Sequence, residues 1–195
     1  MNILIDEHIW DFDLDAALKE ISSQRREQAL KFKFEQGQRL SVLAYLLLKR
    51  GLRESFGITG NPLFEYNQHG KPSIVGHPDI YFNISHCKEA VACAIDSRPV
   101  GIDVEAFHEY RSGLARYTMN EDELSGIEKA ADPSRPFIRL WTMKEATVKL
   151  LGTGISHDIK NVIDKNRFHY TTVERQSYIY TVAQYHEDNS GKRGL

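Results

Sequence analysis

Residues 100–105, with the sequence Val-Gly-Ile-Asp-Val-Glu, constrain the fold more than any other stretch of the chain. Aliphatic and acidic side chains alternate there, which predicts a β-strand whose neighbouring side chains point to opposite faces. Asp103 and Glu105 therefore share one face, with their side chains about 7 Å apart or less. Residues 90–95 are also apolar enough for a central strand, and Ser97-Arg98-Pro99 predicts the turn between the two strands.

The two carboxylates on this strand have two interpretations. Acidic residues that alternate with aliphatic residues usually form a solvated face at the edge of a sheet. The apolar flanking sequence instead favours a central position, where a carboxylate needs a partner. A hard cation held by oxygen ligands is a natural partner for such a pair.

Composition and charge narrow the classes of function. The 195 residues suit one large domain or two small lobes, and 25 basic against 27 acidic residues indicate no nucleic acid or anionic membrane as partner. The longest apolar run, residues 42–48, is far shorter than the ~20 residues of a membrane span, and the acidic N-terminus is unlike a signal peptide. We therefore expect a cytoplasmic protein with Cys87 and Cys93 reduced.

The first half of the chain begins with helical sequence. Apolar residues at core spacing predict a long helix over 38–56, ended by Gly57. The preceding segment, 24–34, is basic and includes Arg25, while Arg39 opens the long helix. A basic cluster of this kind usually forms a solvated face.

Short strands and loops follow the long helix. Residues 80–84 predict a strand with apolar side chains on both faces, and Ser85 and His86 lie at its end, where polar side chains can meet a ligand. Lys71 lies in a loop between a glycine and a proline. Taken alone, Lys71 is typical of an exposed loop lysine, and His86 is typical of a hydrogen-bonded turn residue.

A second helix is predicted over 136–151, ended by Gly152. Trp141, Glu145 and Lys149 recur every four residues and so lie on one stripe of this helix. A surface ladder of ion pairs would explain the two charges. The tryptophan favours partial burial, because so large an apolar surface is normally covered.

Both halves of the chain run from helix-rich to strand-rich sequence. This order predicts an α+β fold with two similar lobes, residues 1–98 and residues 99–186, and the polar tail 187–195 is predicted to be disordered. The chain has neither a Walker sequence nor a Rossmann fingerprint. The glycines of 151–154 follow a helix and indicate a helix end and a turn.

Four short motifs occur along the chain in a characteristic order. Together they resemble the hallmarks of the 4'-phosphopantetheinyl transferases of the surfactin-synthetase-activating type, and the resemblance covers nearly the whole chain. The motifs are Gly70-Lys71-Pro72, Phe82-Asn83-Ile84-Ser85-His86, the Gly-Ile-Asp-x-Glu strand at 101–105, and the Trp-x-x-Lys-Glu-(x)3-Lys helix at 141–149.

The resemblance implies an activity and an architecture. Members of this family transfer the 4'-phosphopantetheine arm of coenzyme A to a serine of an apo acyl, peptidyl or aryl carrier protein, and release adenosine 3',5'-bisphosphate. It also implies a monomer whose two lobes are related by a pseudo-twofold axis, with the active site between them. The N-terminal lobe would hold the nucleotide side of coenzyme A, and the C-terminal lobe would supply the metal-binding acids and the catalytic helix.

The resemblance also implies roles for individual residues. Mg²⁺, or Mn²⁺ in its place, would be bound by Asp103, Glu105 and Glu145. Coenzyme A would be bound by Arg25, Arg39, Lys71, Ser85, His86 and Lys149, and Glu145, Lys149 and His86 would act in catalysis. Gln28 departs from the pattern, because a second basic residue is common at its position. The general base stays open between Glu145, a water molecule and a deprotonated Lys149.

Two other functional classes stay open from the residues alone. A different magnesium-dependent phosphoryl-transfer enzyme or phosphohydrolase would use the same three carboxylates, but would not need Lys71 or the Ser85-His86 pair for coenzyme A. A non-catalytic module that only binds coenzyme A would not need the carboxylates. The intact acidic residues therefore favour an enzyme.

Overall fold

The computed structural model describes residues 1–154 and 159–186, so the tail predicted to be disordered, 187–195, lies outside the described residues. The first half of the chain forms a strand, three helices and four further strands. In chain order these are β1 (Asn2–Asp6), α1 (Leu14–Glu20), α2 (Ser23–Leu30), α3 (Glu35–Phe56), β2 (Phe64–Tyr66), β3 (Pro72–Ile74), β4 (Tyr81–His86) and β5 (Val91–Asp96).

The long helix α3 covers one face of an antiparallel sheet with the strand order β1-β5-β4. Its buried side chains join those of the sheet in one apolar cluster. The closest approach is at Gly51, where a Cβ atom would lie 2.3 Å from Ile95 Cδ1 and 2.7 Å from Leu4 Cδ1. Strands β2 and β3 form a separate antiparallel hairpin.

The second half of the chain repeats this plan with different lengths. Its elements are β6 (Val100–Ala106), α4 (Ser112–Thr118), α5 (Glu121–Glu128), α6 (Ser134–Leu151), a 3-10 helix (Ile159–Asn161), β7 (Phe168–Glu174) and β8 (Tyr178–Tyr185). The antiparallel sheet has the order β6-β8-β7, and α6 packs across β6 and β8. Gly101 permits this packing, because a Cβ atom there would lie 2.0 Å from the carbonyl oxygen of Ala146.

The strand order is therefore the same in both halves: the first strand, then the last, then the middle one. In each half the helix that precedes the middle strand packs on the sheet. The mixed α/β composition with antiparallel sheets matches the fold class predicted from sequence. The pseudo-twofold relation between the lobes and the boundary at residue 98 stay predictions.

The two sheets meet where β4 lies beside β6. Asn83 Oδ1 accepts a hydrogen bond from the backbone N–H of Ile102 (3.1 Å), and Ser85 Oγ accepts one from the backbone N–H of Val104 (3.3 Å). Apolar side chains of β5, β6 and β8 form one buried cluster across the junction. The acidic face of β6 is thereby fixed next to the Ser85-His86 end of β4.

Several boundaries differ from the sequence-based expectations. Helix α3 begins at Glu35 rather than at residue 38, and α6 begins at Ser134, which puts Pro136 in the first turn, where its missing N–H has no intrahelical partner to lose. After helix α6, a 3-10 helix covers Ile159–Asn161. Within the described part of the chain, no helix has the length and apolar character that crossing a membrane requires.

Candidate active site

A cavity of about 650 Å³ opens where the ends of β4 and β6 face α2, α3 and α6. Seven of the nine residues that the sequence predicted for the site line this cavity, and both halves of the chain contribute to it. The seven are Arg25, Ser85, His86, Asp103, Glu105, Glu145 and Lys149; Arg39 and Lys71 lie elsewhere.

Asp103 lies at the centre of the acidic side of the cavity, on the buried strand β6. Its Oδ1 atom accepts hydrogen bonds from the Ser85 hydroxyl (2.9 Å) and from the Lys149 ammonium (2.6 Å), which also donates to Ser85 Oγ (2.8 Å). Its Oδ2 atom is buried and has no hydrogen-bond partner. One carboxylate oxygen thus anchors Lys149, while the other can still bind a cation.

Glu105 and Glu145 complete the acidic side. Burial raises the pKa of both carboxyl groups, and the neighbouring charge of Asp103 raises each further. The indole N–H of Trp141 donates to Glu105 Oε1 (3.0 Å), whereas Glu145 Oε1 is buried without a partner. The helical stripe predicted from sequence therefore brings both its tryptophan and its glutamate to the cavity.

Within residues 1–154 and 159–186, no three His, Cys, Asp or Glu side chains lie close enough together to hold a metal ion as they stand. Asp103 is instead paired with the Lys149 ammonium. The donor set nonetheless fits a hard cation. Three carboxylates share the wall, and Asp103 Oδ2 and Glu145 Oε1 are buried oxygens without hydrogen-bond partners. Carboxylate oxygens are the ligands that Mg²⁺ prefers.

Arg25 lies on the opposite side of the cavity, in the first turn of α2. Ser22 caps this helix, and its hydroxyl oxygen accepts a hydrogen bond from the backbone N–H of Arg25. The Arg25 guanidinium donates to Gln28 Oε1 (2.6 Å) and to both the carbonyl oxygen (3.2 Å) and Oγ (3.1 Å) of Ser41, and it stacks over the Tyr45 ring. Among the described residues no carboxylate pairs with it. Burial lowers its pKa, because water solvates the charged guanidinium poorly there. An anion in the cavity would therefore be a strongly favoured partner.

His86 lies on the wall between these two sides. Its pKa is lowered, mainly because surrounding protein atoms desolvate the ring and secondly because Lys149 is positively charged. The imidazole is therefore neutral at neutral pH and can accept or donate a hydrogen bond.

Nothing in the sequence identifies Ser41 as a residue of the site, and nothing there predicts a hydrogen-bond partner for Gln28. Gln28 accepts from Arg25 and donates its amide N–H to the hydroxyl of Tyr66 (3.2 Å). Their positions on one face of α2 and α3 carry no pattern that distinguishes them from ordinary surface residues. Only the packing of the two helices brings them to Arg25.

Lys71 contacts helix α6 and does not line the main cavity. Its ammonium donates to the carbonyl oxygen of Leu150 (2.8 Å), and burial lowers its pKa to about 8. The side chain lines a smaller cavity of about 190 Å³, which also includes Ile84 and Lys149 of the main one.

Arg39 also lies outside the main cavity, near the start of α1. It pairs with Glu35 (2.8 Å), donates to the carbonyl oxygen of Phe12 (2.8 Å) and stacks over the rings of Trp10 and Phe12, each 5.2 Å away. Its predicted contact with coenzyme A stays a prediction, as does that of Lys71.

The arrangement suits chemistry at a phosphate ester. Cationic and neutral donors on one side can bind phosphate oxygens, and carboxylates on the other can accept a proton or hold a metal ion. Glu145 is well suited to accept a proton because its raised pKa makes it a stronger base than an exposed glutamate.

Comparisons with known proteins agree with this chemistry. Residues 10–98 match the family model for the N-terminal part of 4'-phosphopantetheinyl transferases, and residues 99–190 match that of the 4'-phosphopantetheinyl transferase superfamily. The 4'-phosphopantetheinyl transferase gsp of Aneurinibacillus migulanus is 34% identical over 84% of this chain and 68% of its own length. The 4'-phosphopantetheinyl transferase Sfp of Bacillus subtilis is 30% identical over 70% of this chain and 62% of its own length.

A more distant relative comes from yeast. The L-aminoadipate-semialdehyde dehydrogenase-phosphopantetheinyl transferase of Saccharomyces cerevisiae is 25% identical over 93% of this chain and 69% of its own length. The chain thus spans about two thirds of the length of these relatives. The two family models together cover nearly all of the chain, and the chain belongs to the 4'-phosphopantetheinyl transferase superfamily, with relatives of the Sfp type.

Proposed function

We propose that this protein transfers the 4'-phosphopantetheine group of coenzyme A to a serine of an apo carrier protein and releases adenosine 3',5'-bisphosphate. One observation carries the proposal. In a member of this superfamily, a single cavity holds three carboxylates on one side and the partly buried cation Arg25 on the other, with Lys149 and His86 between them. A diphosphate and an incoming hydroxyl need these two kinds of group together.

The reaction exchanges one phosphate bond for another. The serine oxygen of the carrier bonds to the phosphorus next to pantetheine, and the bond from that phosphorus to the bridging diphosphate oxygen breaks. That bridging oxygen leaves with adenosine 3',5'-bisphosphate. The serine proton passes to the carboxylate of Glu145, whose Oε1 atom is buried without a hydrogen-bond partner.

Lys149 and Arg25 would neutralise the diphosphate. The Lys149 ammonium lies on the border between the two cavities, and it can contact a phosphate oxygen while Ser85 and Asp103 hold it. Arg25 offers planar donors that suit a phosphate. His86, neutral at physiological pH, would donate a hydrogen bond without adding charge.

Asp103, Glu105 and Glu145 would together hold Mg²⁺, with Mn²⁺ as a substitute. The unpartnered oxygens of Asp103 and Glu145 support this assignment. When bound, the cation would supply positive charge to the diphosphate oxygens and to the leaving group.

The oligomeric state, the compartment and the carrier proteins are also part of the proposed function. The cavity is built from both halves of one chain, which supports a monomer as the active unit. With a net charge of −2, the chain offers no overall attraction to nucleic acids or anionic membranes, and we propose that it acts in the cytoplasm on acyl, peptidyl or aryl carriers.

Release of adenosine 3',5'-bisphosphate distinguishes this function from a phosphohydrolase and from a module that only binds coenzyme A. The enzyme would be incubated with coenzyme A and Mg²⁺, and adenosine 3',5'-bisphosphate would be measured by chromatography with an apo carrier and with the same carrier after serine to alanine substitution. We expect release only with the intact apo carrier. Equal release without any carrier would indicate a phosphohydrolase, and no release under any condition would indicate a binding module.

A further inference from the structure

The loop between β2 and β3 reaches from the first half of the chain to the last turn of α6, in the second half. Two of its side chains donate hydrogen bonds to carbonyl oxygens there: Lys71 Nζ to Leu150 (2.8 Å) and Asn67 Nδ2 to Gly152 (3.0 Å). The last carbonyl groups of a helix have no partners within the helix. The loop therefore caps α6 from the other half of the molecule.

The orientation of Asn67 is fixed by its own loop. Its Oδ1 atom accepts hydrogen bonds from the backbone N–H groups of His69 and Lys71, each at 2.9 Å. Because the oxygen is used in this way, the Nδ2 amide is the atom that faces Gly152. The contact is therefore preorganised before the loop meets the helix.

The end of α6 is shaped to receive the loop. Gly152 ends the helix with φ +68°, in the left-handed region that favours glycine, and its N–H bonds to the carbonyl oxygen of Val148. A Cβ atom on Gly152 would lie 2.6 Å from Lys71 Cδ and 3.3 Å from Asn67 Nδ2. Glycine is thus needed both for the backbone turn and for the space that the two side chains occupy.

The capped turn carries a group of the proposed active site. Lys149 immediately precedes Leu150, and its ammonium must reach Ser85 and Asp103 across the junction between the sheets. A shift of this turn would move Lys149 relative to both. The positive charge of Lys71 also suits the negative end of the helix dipole.

We propose that Asn67 and Lys71 form an interlobe clamp that positions the last turn of α6, and that the clamp affects the reaction through Lys149. Only the expected effect of the clamp on turnover rests on the proposed function; its effect on the end of α6 does not. Both are positioning residues, because their side-chain donors contact the helix end.

The test uses variants that separate the clamp from the loop. Asn67→Asp keeps the Oδ1 acceptor that holds the loop but loses the donor to Gly152. Lys71→Met keeps the apolar stem over Gly152 but loses the ammonium, and Lys71→Arg keeps a donor. Gln68→Ala, an exposed position in the same loop, is the matched control.

Amide hydrogen exchange would be measured in the last turn of α6 without substrates, together with kcat and the dissociation constant of coenzyme A. Loss of one such hydrogen bond corresponds to roughly tenfold faster local exchange. We expect that change in Asn67→Asp and Lys71→Met, with unaltered exchange in α3. We also expect kcat to fall about tenfold in both variants. In Asn67→Asp, which leaves every predicted coenzyme A ligand in place, the dissociation constant of coenzyme A should change less than about twofold. Lys71→Arg should restore both the exchange rate and kcat, and Gln68→Ala should match the wild type.

Three results would overturn the clamp. Weaker coenzyme A binding with unchanged exchange would make Lys71 a nucleotide ligand. Faster exchange with unchanged kcat would reduce the contacts to an ordinary helix cap. Faster exchange throughout the protein, including α3, would indicate a general loss of stability. A wild type that transfers nothing would refute the proposed function instead, and the exchange measurement would still decide whether the loop holds the helix end.

Discussion

Asp103→Asn should leave the protein folded and abolish most of its activity. The substitution keeps the size of the side chain and an oxygen that can accept from Ser85, but it removes the negative charge. Asp103 is buried, with a side-chain exposure of 5%, while Lys149 is 27% exposed, so water can partly solvate the ammonium left behind. The variant therefore keeps the shape of the native side chain and loses only its charge.

The effect on stability is a balance of two terms of similar size. Loss of the charged hydrogen bond to Lys149 costs about 1.5 to 3 kcal/mol. Against this, Asp103 buries a charged carboxylate whose Oδ2 atom has no partner, and the neutral amide avoids the desolvation cost of that charge. Relief of repulsion with Glu105 and Glu145 acts in the same direction. We expect the free energy of unfolding to change by no more than about 1.5 kcal/mol.

The effect on turnover should be much larger. Removing one preorganised charged group from a site of phosphoryl transfer lowers the rate by about 10²- to 10³-fold, and a lost metal ligand would add to this. The pKa values of Glu105 and Glu145 should also fall towards their ordinary range, since the charge of Asp103 helps to raise both.

Urea denaturation, carboxyl NMR titration and transfer kinetics would check these three effects. Asp96→Asn is a suitable control, because Asp96 is similarly buried and bonded to Gln184, but lies outside the cavity. It should change stability without changing turnover. Wild-type turnover in Asp103→Asn, or a loss of more than about 4 kcal/mol in stability, would refute the role assigned to this carboxylate.

Other perturbations test separate parts of the structure. Gly101→Ala should destabilise the protein by about 1 to 3 kcal/mol or more, because the new methyl group would meet the backbone of α6, and an unchanged urea midpoint would contradict that close packing. Glu145→Gln should lower turnover by about 10²- to 10⁴-fold even at saturating Mg²⁺; if high Mg²⁺ restores the rate, Glu145 is a metal ligand and not the base. The pKa of Lys71, lowered to about 8, means that the unfolded chain binds more protons between about pH 8 and 10.5. Wild-type stability relative to Lys71→Met should therefore rise across that window, by up to about 3 kcal/mol, and a constant difference between pH 7 and pH 10 would show that the ammonium is not desolvated.

The elements of the site could be predicted from sequence because their patterns are local. Alternation over 100–105 and the four-residue spacing of Trp141, Glu145 and Lys149 each depend on residues a few positions apart. The structure confirms the strand and the helix. The contact between Asp103 and Lys149 depends in addition on the packing of α6 against β6, which the alternation alone does not specify.

The partners of Lys71 and Arg39 could not be predicted in this way. Lys71 bonds to a carbonyl oxygen 79 positions away in the chain, and backbone carbonyls have no distinguishing side chain. Arg39 stacks on Trp10 and Phe12, which lie in an irregular segment before α1. In both cases the contact follows from the packing of distant elements and leaves no local trace in the sequence.

A carrier protein that receives phosphopantetheine from this chain becomes heavier, so its intact mass reveals the transfer. Purified apo carrier would be incubated with coenzyme A, Mg²⁺ and the enzyme, and its intact mass measured alongside a sample treated with a known transferase. We predict that the carrier gains the mass of one phosphopantetheine group, located on its serine. The contrary result is a carrier whose mass stays unchanged while the known transferase modifies it fully. If carriers of the other classes also stay unmodified by this chain, the chain is not a phosphopantetheinyl transferase for carrier proteins.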